Sequence, residues 1–352
     1  MVAVLKTKPE TVLADYKKLM HLAEYEKFLP KNKETILKLN LSWSLYYPSC
    51  STQPWQLEGV IKTMIDGGYK NIHPVENKTV VTDVWKGAQG NKWLPILQKY
   101  NQRYEPLTET EWVMYKPKAE MLAIDKIFGE EHIIPKIFIG KNVVHLPTIK
   151  THGHTIMTGA MKNAFGGLIT EKRHHCHKMI HEVLVDLLQI QKEIHTGIFA
   201  VMDGTVAGDG KGPRTMEPRI KNYILAGNDQ VAIDAISAKM MGFDPMRIKF
   251  IKLSHDRGLG TGDPAQIDIV GEDISNVNFN FKTGKSPVIF FDQLFRKKLK
   301  FVEPLLFHTG LFKLAVFGSG FYHDKLWYPA IGKTKIRKFM RTEWGQLFRK
   351  YE

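Results

Sequence analysis

Cysteine is scarce in this sequence, since only Cys50 and Cys176 occur among its 352 residues. Two thiols cannot form the disulfide framework of a small secreted protein, and they cannot by themselves build a four-cysteine cluster site. Their scarcity is consistent with a reducing compartment. The simplest interpretation of both cysteines is that each is a small buried hydrophobic side chain.

Long apolar runs are absent as well. No stretch of about 18 uninterrupted apolar residues occurs, so no membrane-spanning helix is predicted. The first ten residues hold neither a long apolar core nor a small-residue cleavage site, and we therefore expect a cytoplasmic protein without a secretory signal. Hydrophobic residues make up 43% and charged residues 24%, which indicates an ordinary globular protein with one large domain or two smaller ones.

The positive charge is concentrated near the C-terminus. Residues 285–352 contain 14 Lys or Arg against 5 Asp or Glu, whereas residues 1–284 contain 36 against 31. The basic excess therefore says more about what the tail contacts than about the main domain. We predict an α/β domain over residues 1–284 that binds a ligand or catalyses a reaction, followed by a basic amphipathic extension over residues 285–352.

The extension has two competing interpretations. From residue 335 onward, apolar residues recur at helical spacing while basic residues lie on the other faces, a pattern typical of helices at anionic membrane surfaces. The same apolar face would also suit packing against the parent domain or a protein partner. Nucleic-acid binding is not favoured, because the basic residues alternate with large apolar ones and no known module occurs.

The first 284 residues alternate between strand and helix patterns. Residues 35–43 and 70–76 are predicted strands that flank a helix over 54–66, which makes a βαβ unit. Further helices are predicted over 155–165, 174–195, 230–241 and 245–255, with strands over 143–149, 198–202, 221–226 and 267–270. The predicted fold is α/β, with helices covering a mainly parallel sheet.

Histidines cluster in one stretch, because residues 145–181 contain seven of the fourteen in the chain. His152 and His154 follow a predicted strand, and side chains two positions apart in extended backbone point the same way. Ligands of open α/β sheets bind beyond the carboxyl ends of the strands, where this pair lies. The pair is therefore a candidate for acid–base catalysis or metal binding, with a polar loop of hydrogen-bonded histidines as the alternative.

Two lysines flank the histidine pair. Lys150 at the strand end and Lys162 on the next helix could clamp a carboxylate or phosphate. Asn163 and Gly166 are candidate substrate-binding neighbours of Lys162. The competing interpretation places Lys162 near the end of its helix, which Gly166 and the glycine after it are expected to stop, where it would only offset the macrodipole.

A second set of histidines follows. His174, His177 and His181 have the spacing of one helical face, and that face borders an apolar stripe. Half-buried structural histidines are as consistent with this pattern as ligands are. The candidate metal ligands are His152, His154, His177 and His181, and the candidate cofactor is a divalent metal.

A glycine-rich stretch follows the strand predicted at 198–202. It lacks the spacing of a P-loop and of a dinucleotide-binding turn. It could still form a backbone nest for an anion, or simply a hairpin-like loop. We nominate Asp203 as a catalytic residue, and Gly208, Gly210, Gly212 and Arg214 as substrate-binding residues. Asp229 is predicted to cap the helix over 230–241, which leaves Asp234 as the better site candidate of the two.

Five segments resemble a known family: residues 38–41 (Lys-Leu-Asn-Leu), 146–152 (Leu-Pro-Thr-Ile-Lys-Thr-His), 159–167 (Gly-Ala-Met-Lys-Asn-Ala-Phe-Gly-Gly), 203–213 with its glycines, and 229–235 (Asp-Gln-Val-Ala-Ile-Asp-Ala). Together they resemble the bacterial and archaeal domain of unknown function 362 over roughly residues 30–275. Many members carry ferredoxin-type cysteine runs, so the resemblance implies an iron–sulfur protein. This chain departs from that pattern, and no iron–sulfur cluster is expected with two cysteines.

These observations lead to one main hypothesis and two alternatives. The main hypothesis is an enzyme that binds a small anionic substrate, a carboxylate or a phosphate, at a site rich in Lys, His and Gly, with metal-assisted acid–base chemistry. The first alternative is a peripheral membrane or assembly protein with a ligand-sensing pocket. The second is a metal-binding protein without catalytic activity.

Overall fold

The computed structural model describes residues 1–297 and 312–351, without the side chains of Glu171, Lys172 and Lys297. The strands are β1 (Val2–Lys6), β2 (Thr35–Lys38), β3 (Ile72–Glu76), β4 (Glu105–Pro106), β5 (Trp112–Tyr115), β6 (His132–Pro135), β7 (Asn142–His145), β8 (Thr148–His152), β9 (Ile156–Met157), β10 (Gly197–Lys211), β11 (Thr215–Gly227) and β12 (Ile269–Gly271).

The helices of the described residues surround these strands. They are α1 (Val12–Leu22), α2 (Tyr25–Phe28), α3 (Pro54–Asp66), α4 (Val84–Gly90), α5 (Trp93–Lys99), α6 (Ile124–Phe128), α7 (Ala160–Leu168), α8 (Ile180–Ile194), α9 (Gln230–Met241), α10 (Lys249–Asp256), α11 (Pro287–Lys297), α12 (Phe312–Gly320), α13 (Lys333–Phe339) and α14 (Glu343–Arg349). A π-helical segment, Phe321–Gly332, joins α12 to α13.

The main sheet has the order β12-β1-β11-β10-β7-β2-β3-β4. Strand β7 pairs in parallel with both β10 and β2, and β3 pairs in parallel with β2 and β4. The antiparallel pairs in this order are β1 with β11 and β10 with β11. The prediction of a mainly parallel sheet covered by helices is therefore confirmed. The carboxyl ends of β2, β3 and β7 meet at one edge, as parallel pairing requires.

Strand residues alternate between two apolar cores. Ile36 and Val143 face the layer of α7 to α10, whereas Leu37 and Val144 face the layer of α1, α3 and α5. This alternation is the two-residue period of a pleated strand buried on both faces.

The end of the extension packs against the domain. In α14, Trp344 lies with its ring centroid 4.9 Å from that of Trp55 and donates a hydrogen bond to Asn222. Phe348 stacks on Tyr46. This part of the extension matches the packing interpretation, while residues 298–311 and 352 lie outside the described residues. No helix that the structure describes is long and apolar enough to cross a bilayer.

Three local predictions were wrong. Helix α7 continues through Gly166 and Gly167 to Leu168, and a Cβ at Gly167 would lie 2.9 Å from the Phe138 ring, so this glycine serves close packing. Residues 171–179 form a 3₁₀ helix before α8 begins at Ile180. His181 therefore does not extend a single α-helical face from His174, and its ring lies against Phe250 instead.

The glycine-rich stretch also does not form the predicted loop with a backbone nest for an anion. Residues up to Lys211 belong to β10, which forms a long antiparallel hairpin with β11. Strand β8 pairs in parallel with β10 at Gly208, where a Cβ would lie 2.5 Å from the Met216 sulfur. At Gly212 a Cβ would lie 1.8 Å from the Thr151 carbonyl oxygen. These two glycines allow backbone and side chains to approach closely, which explains their presence without an anion.

Asp203 is buried in the sheet rather than placed at a site. Its carboxylate accepts hydrogen bonds from the Tyr16 hydroxyl at 2.7 Å, the Trp55 indole at 3.0 Å and Thr205. Burial raises the pKa of Asp203 to about 6, and these donors oppose that rise. Asp203 thus joins α1 and α3 to β10, a structural role that the sequence did not indicate.

We predict that Tyr16→Phe lowers the free energy of unfolding by about 1.5–3 kcal/mol at pH 8, since hydrogen bonds to charged groups contribute about that much. The loss should be smaller at pH 5, because Asp203 is then protonated and the Tyr16 hydrogen bond favours the ionised carboxylate. Urea unfolding at both pH values measures the difference.

The matched control is Tyr47→Phe, because the Tyr47 hydroxyl donates to the carbonyl oxygen of Met216, which does not titrate. This variant should lose about 1 kcal/mol at both pH values. A pH-independent loss for Tyr16→Phe would contradict the assignment to Asp203.

Candidate functional site

A cavity of about 700 Å³ opens at the carboxyl edge of the parallel strands. Its lining includes Lys38 at the end of β2, Glu76 at the end of β3 and His152 at the end of β8. Helix α7 and the 3₁₀ segment form another part, and α11 and α12 of the extension complete the wall. The cavity thus lies where ligands bind in open α/β sheets.

Three side chains from distant parts of the sequence converge on this wall. The Nε2 atom of His154 lies 3.7 Å from Oδ2 of Asp292, and Nδ1 of His177 lies 3.8 Å from the same oxygen. One ligand atom from each of the three residues lies within 4.8 Å of the others. These distances are too long for hydrogen bonds. Two ligand atoms about 2.1 Å from a tetrahedral ion lie about 3.4 Å apart, so a small contraction would let the three residues share a metal.

The charges around Asp292 favour its ionised form, the form that binds a metal ion. Burial pushes the pKa of this carboxyl upward, but His177, Arg296 and His154 together hold it well below its usual range. Its Oδ1 accepts a hydrogen bond from Nε of Arg296 at 3.0 Å, whereas its Oδ2 is buried without a hydrogen-bond partner among the described residues. A buried carboxylate oxygen without a donor is costly, and a cation would satisfy it.

His154 is a neutral imidazole in this setting. Burial, together with neighbouring His177, lowers its pKa to about 3. Gln293 on α11 lies 3.5 Å from its Nδ1 and donates to the carbonyl oxygen of Gly153, which fixes the loop that carries the ring. A histidine binds a metal as the neutral imidazole, which is the form that this low pKa favours.

His152 lines the cavity beside this cluster but presents a proton instead of a lone pair. Its Nδ1 accepts a hydrogen bond from the His154 backbone N–H at 3.1 Å, so the ring proton of the neutral form is on Nε2. Burial and the nearby cations hold its pKa well below the usual value. His152 is therefore a hydrogen-bond donor toward the cavity and not a base near neutral pH.

Lys162 supplies the available positive charge. Its ammonium group lies 5.0 Å from the centre of the Phe165 ring and makes no ion pair with any described carboxylate. Burial, Arg173 and Lys150 lower its pKa to about 7. Arg173 also lines the cavity, and its only described hydrogen bonds go to the carbonyl oxygens of Thr170 and Lys78. This end of the cavity therefore favours an anion.

Lys150, in contrast, is not part of the cavity lining. Its side chain is 1% exposed, and its ammonium group donates to Asn40, the Cys50 carbonyl oxygen and Thr148. The predicted clamp of Lys150 and Lys162 does not form, because three acceptors already satisfy Lys150. Its charge acts on the site by lowering the pKa values of Lys162 and His152.

The other nominated residues divide in the same way. Asn163, Gly166, Gly212 and Arg214 line the cavity, whereas Asp203, Gly208, Gly210 and His181 do not. Asn163 donates to the Lys38 carbonyl oxygen, and Nε of Arg214 donates to that of Ser42. Asp234 caps α7, accepting from the backbone N–H groups of Ala160 and Met161.

Several polar residues of the cavity, Arg173 among them, escaped the sequence analysis. Lys38 and Glu76 form a buried ion pair at 2.7 Å, and Asp292 belongs to the extension, whose carboxylates were not considered. Parallel strands predict that residues ending β2 and β3 meet, so Lys38 and Glu76 could have been found. Nothing in the sequence near Asp292 signals its partners.

The cysteines do not fit an iron–sulfur cluster. Cys50 packs among aromatic side chains, while Cys176 lies in the main apolar core. Burial raises the pKa of Cys50 to about 11 and that of Cys176 to about 12, whereas a cluster requires thiolates, usually four.

Comparisons with known proteins give a family but no activity. The chain is 24% identical over 215 residues to a thylakoid-associated protein of Synechocystis sp., which covers 60% of this chain and 63% of that protein, less than two thirds of its length. No solved structure matches the chain. A model of the family described as a domain of unknown function (DUF362) matches residues 35–239, more than half of the sequence and all of the strand-end edge. The chain belongs to this family.

Proposed function

We propose that the protein is a metal-dependent enzyme acting on an anionic small molecule, a carboxylate or a phosphate. The observation that carries the proposal is the convergence of His154, His177 and Asp292 on the wall of a cavity in which Lys162 has no described carboxylate partner. Two histidines and one carboxylate suit a divalent transition metal. Three protein ligands leave coordination positions for water or substrate, as catalytic sites require.

The chain's own residues have distinct tasks in this proposal. Lys162 and Arg173 attract and orient the anion, and His152 donates a hydrogen bond from Nε2. Lys162 has a pKa of about 7, so it can release or accept a proton near neutral pH. A bound metal would polarise a substrate oxygen or activate water. Acid–base chemistry is therefore assigned to Lys162 rather than to the histidines.

The first prediction concerns the metal. Protein purified without chelators should bind about one equivalent of Zn²⁺ or Co²⁺, and His177→Ala or Asp292→Asn should weaken binding by at least about tenfold, since even indirect supports contribute that much. Elemental analysis after dialysis against the metal measures stoichiometry, and titration measures affinity.

His181→Ala is the matched control, since His181 lies four positions from His177 but outside the cluster. It should retain the metal. Equal loss in His181→Ala and His177→Ala, or no stoichiometric metal in the unsubstituted protein, would reject the proposed centre.

The second prediction concerns Lys162. Sulfate, whose charge is constant between pH 6 and 9, should bind less tightly as pH rises through about 7, by about tenfold per pH unit once the lysine is neutral. Burial also lowers the pKa of Lys150 to about 8, but Lys150 lies outside the cavity lining, so substitutions of Lys162 itself assign the loss of affinity. Calorimetric titration across this range measures it.

Two substitutions of Lys162 distinguish the effect of its positive charge from the effect of its deprotonation. Lys162→Arg should bind sulfate with little dependence on pH, because arginine stays protonated. Lys162→Met should bind weakly throughout. An unchanged pH profile in Lys162→Met would show that another group binds the anion.

A second candidate function is attachment to an anionic membrane surface. The enzyme proposed above would then work while attached to the cytoplasmic face of a membrane. It is favoured by an exposed apolar stripe on α12 and the segment after it, in which Leu314 is 65%, Phe317 72% and Phe321 47% exposed. The excess of basic residues over 285–352 is complementary to anionic lipid. The name of the Synechocystis relative, a thylakoid-associated protein, is consistent with this candidate.

The third prediction tests this candidate by flotation with phosphatidylcholine vesicles, with and without phosphatidylglycerol. The protein should float only with the anionic vesicles and less at high salt. Leu314→Ser combined with Phe317→Ser should abolish flotation. The control pair is Met114→Ser with Ile133→Ser, which removes exposed apolar side chains from the two-stranded sheet of β5 and β6. Equal flotation of both double variants would discard the surface.

A further inference from the structure

The cavity has a cationic part and an apolar part. The cations come from the strand-end edge, α7 and the 3₁₀ segment, where Lys162 and Arg173 lie. The apolar part is formed by Val80 and Val81 after β3, by Ile289 and Phe295 on α11, and by Ala315 and Val316 on α12.

The two parts adjoin along α11. Ile289 and Phe295 lie three positions before and after Asp292, so all three share one face of the helix. Three residues of α-helix span about 4.5 Å, which separates the Cα atom of Asp292 from that of each apolar neighbour along the helix axis. The apolar wall therefore begins one turn from the proposed metal ligand.

The cavity is also larger than a small inorganic anion needs. Its volume of about 700 Å³ is in the range of pockets that hold ligands of many heavy atoms. A lone sulfate or acetate beside Lys162 would leave the side chains of Ile289, Phe295 and Val316 facing water. An apolar group placed there would release that water with a gain in free energy.

We propose that the ligand is an amphiphile: an anionic head group, carboxylate or phosphate, that carries a hydrocarbon chain of medium length. The head group lies beside Lys162 and Arg173, and the chain lies between α11, α12 and the turn after β3. This inference rests on the anion site proposed above and adds the class of substrate. It concerns a dissolved amphiphile and needs no bilayer.

The test compares octanoate, acetate and 1-octanol by calorimetric titration, with octanoate kept well below its micellar concentration. A fully buried methylene group raises affinity about fourfold, so octanoate should bind at least about 50-fold more tightly than acetate even if half of its chain is buried. 1-Octanol should bind much more weakly than octanoate, because it lacks the charge that Lys162 neutralises.

Ala315→Trp fills the apolar part, and Leu314→Trp is its matched control on the exposed face of the same helix. Ala315→Trp should reduce octanoate affinity to near that of acetate while acetate binding and metal content stay unchanged, which shows that the protein is folded. Leu314→Trp should bind octanoate as before.

The outcomes separate the two proposals. Equal binding of octanoate and acetate, or unchanged octanoate binding in Ala315→Trp, would overturn the amphiphile and leave the anion site standing. 1-Octanol binding as tightly as octanoate, with no effect of Lys162→Met, would overturn the anion site and with it the amphiphile.

Discussion

The candidate site depends on one contact, in which α11 of the extension brings Asp292 to His154 and His177 at the carboxyl edge of the sheet. Without α11 these imidazoles would face an open groove, and the apolar wall of Ile289 and Phe295 would be missing. The family match ends at residue 239, before this helix begins. The pocket is thus completed by a part of the chain outside the matched segment, and variation there can change the ligand while the strand-end edge stays the same.

Burial decides which cations are available to a ligand. Lys38 and Lys150 are both about 1% exposed, and each is satisfied inside the protein, Lys38 by Glu76 and Lys150 by three oxygen acceptors. Lys162 receives no such compensation from the described residues, and desolvation together with nearby positive charge lowers its pKa toward neutrality. A lysine in this state is charged by the arrival of an anion, so ligand binding and protonation are coupled.

The sequence predicted those features that local patterns determine. The bounds of α3 and α9 follow from Pro54 and from the Asp229 cap, and the parallel sheet follows from alternating elements. Patterns could not distinguish glycines that allow close packing from glycines that bind anions, nor a paired lysine from an unpaired one. They could not find Asp292, because its partners are distant in sequence and meet it only through tertiary packing. These errors share a cause, since hydrogen-bond partners in a folded protein are not local information.

The most direct measurement is the anomalous diffraction of crystals grown with Zn²⁺ or Co²⁺, recorded just above and just below the absorption edge of the metal. The account predicts one strong anomalous peak within about 2.3 Å of His154 Nε2, His177 Nδ1 and Asp292 Oδ2. An ordered α11 with these three side chains in place and no peak between them, or a peak bound by other residues, would contradict it.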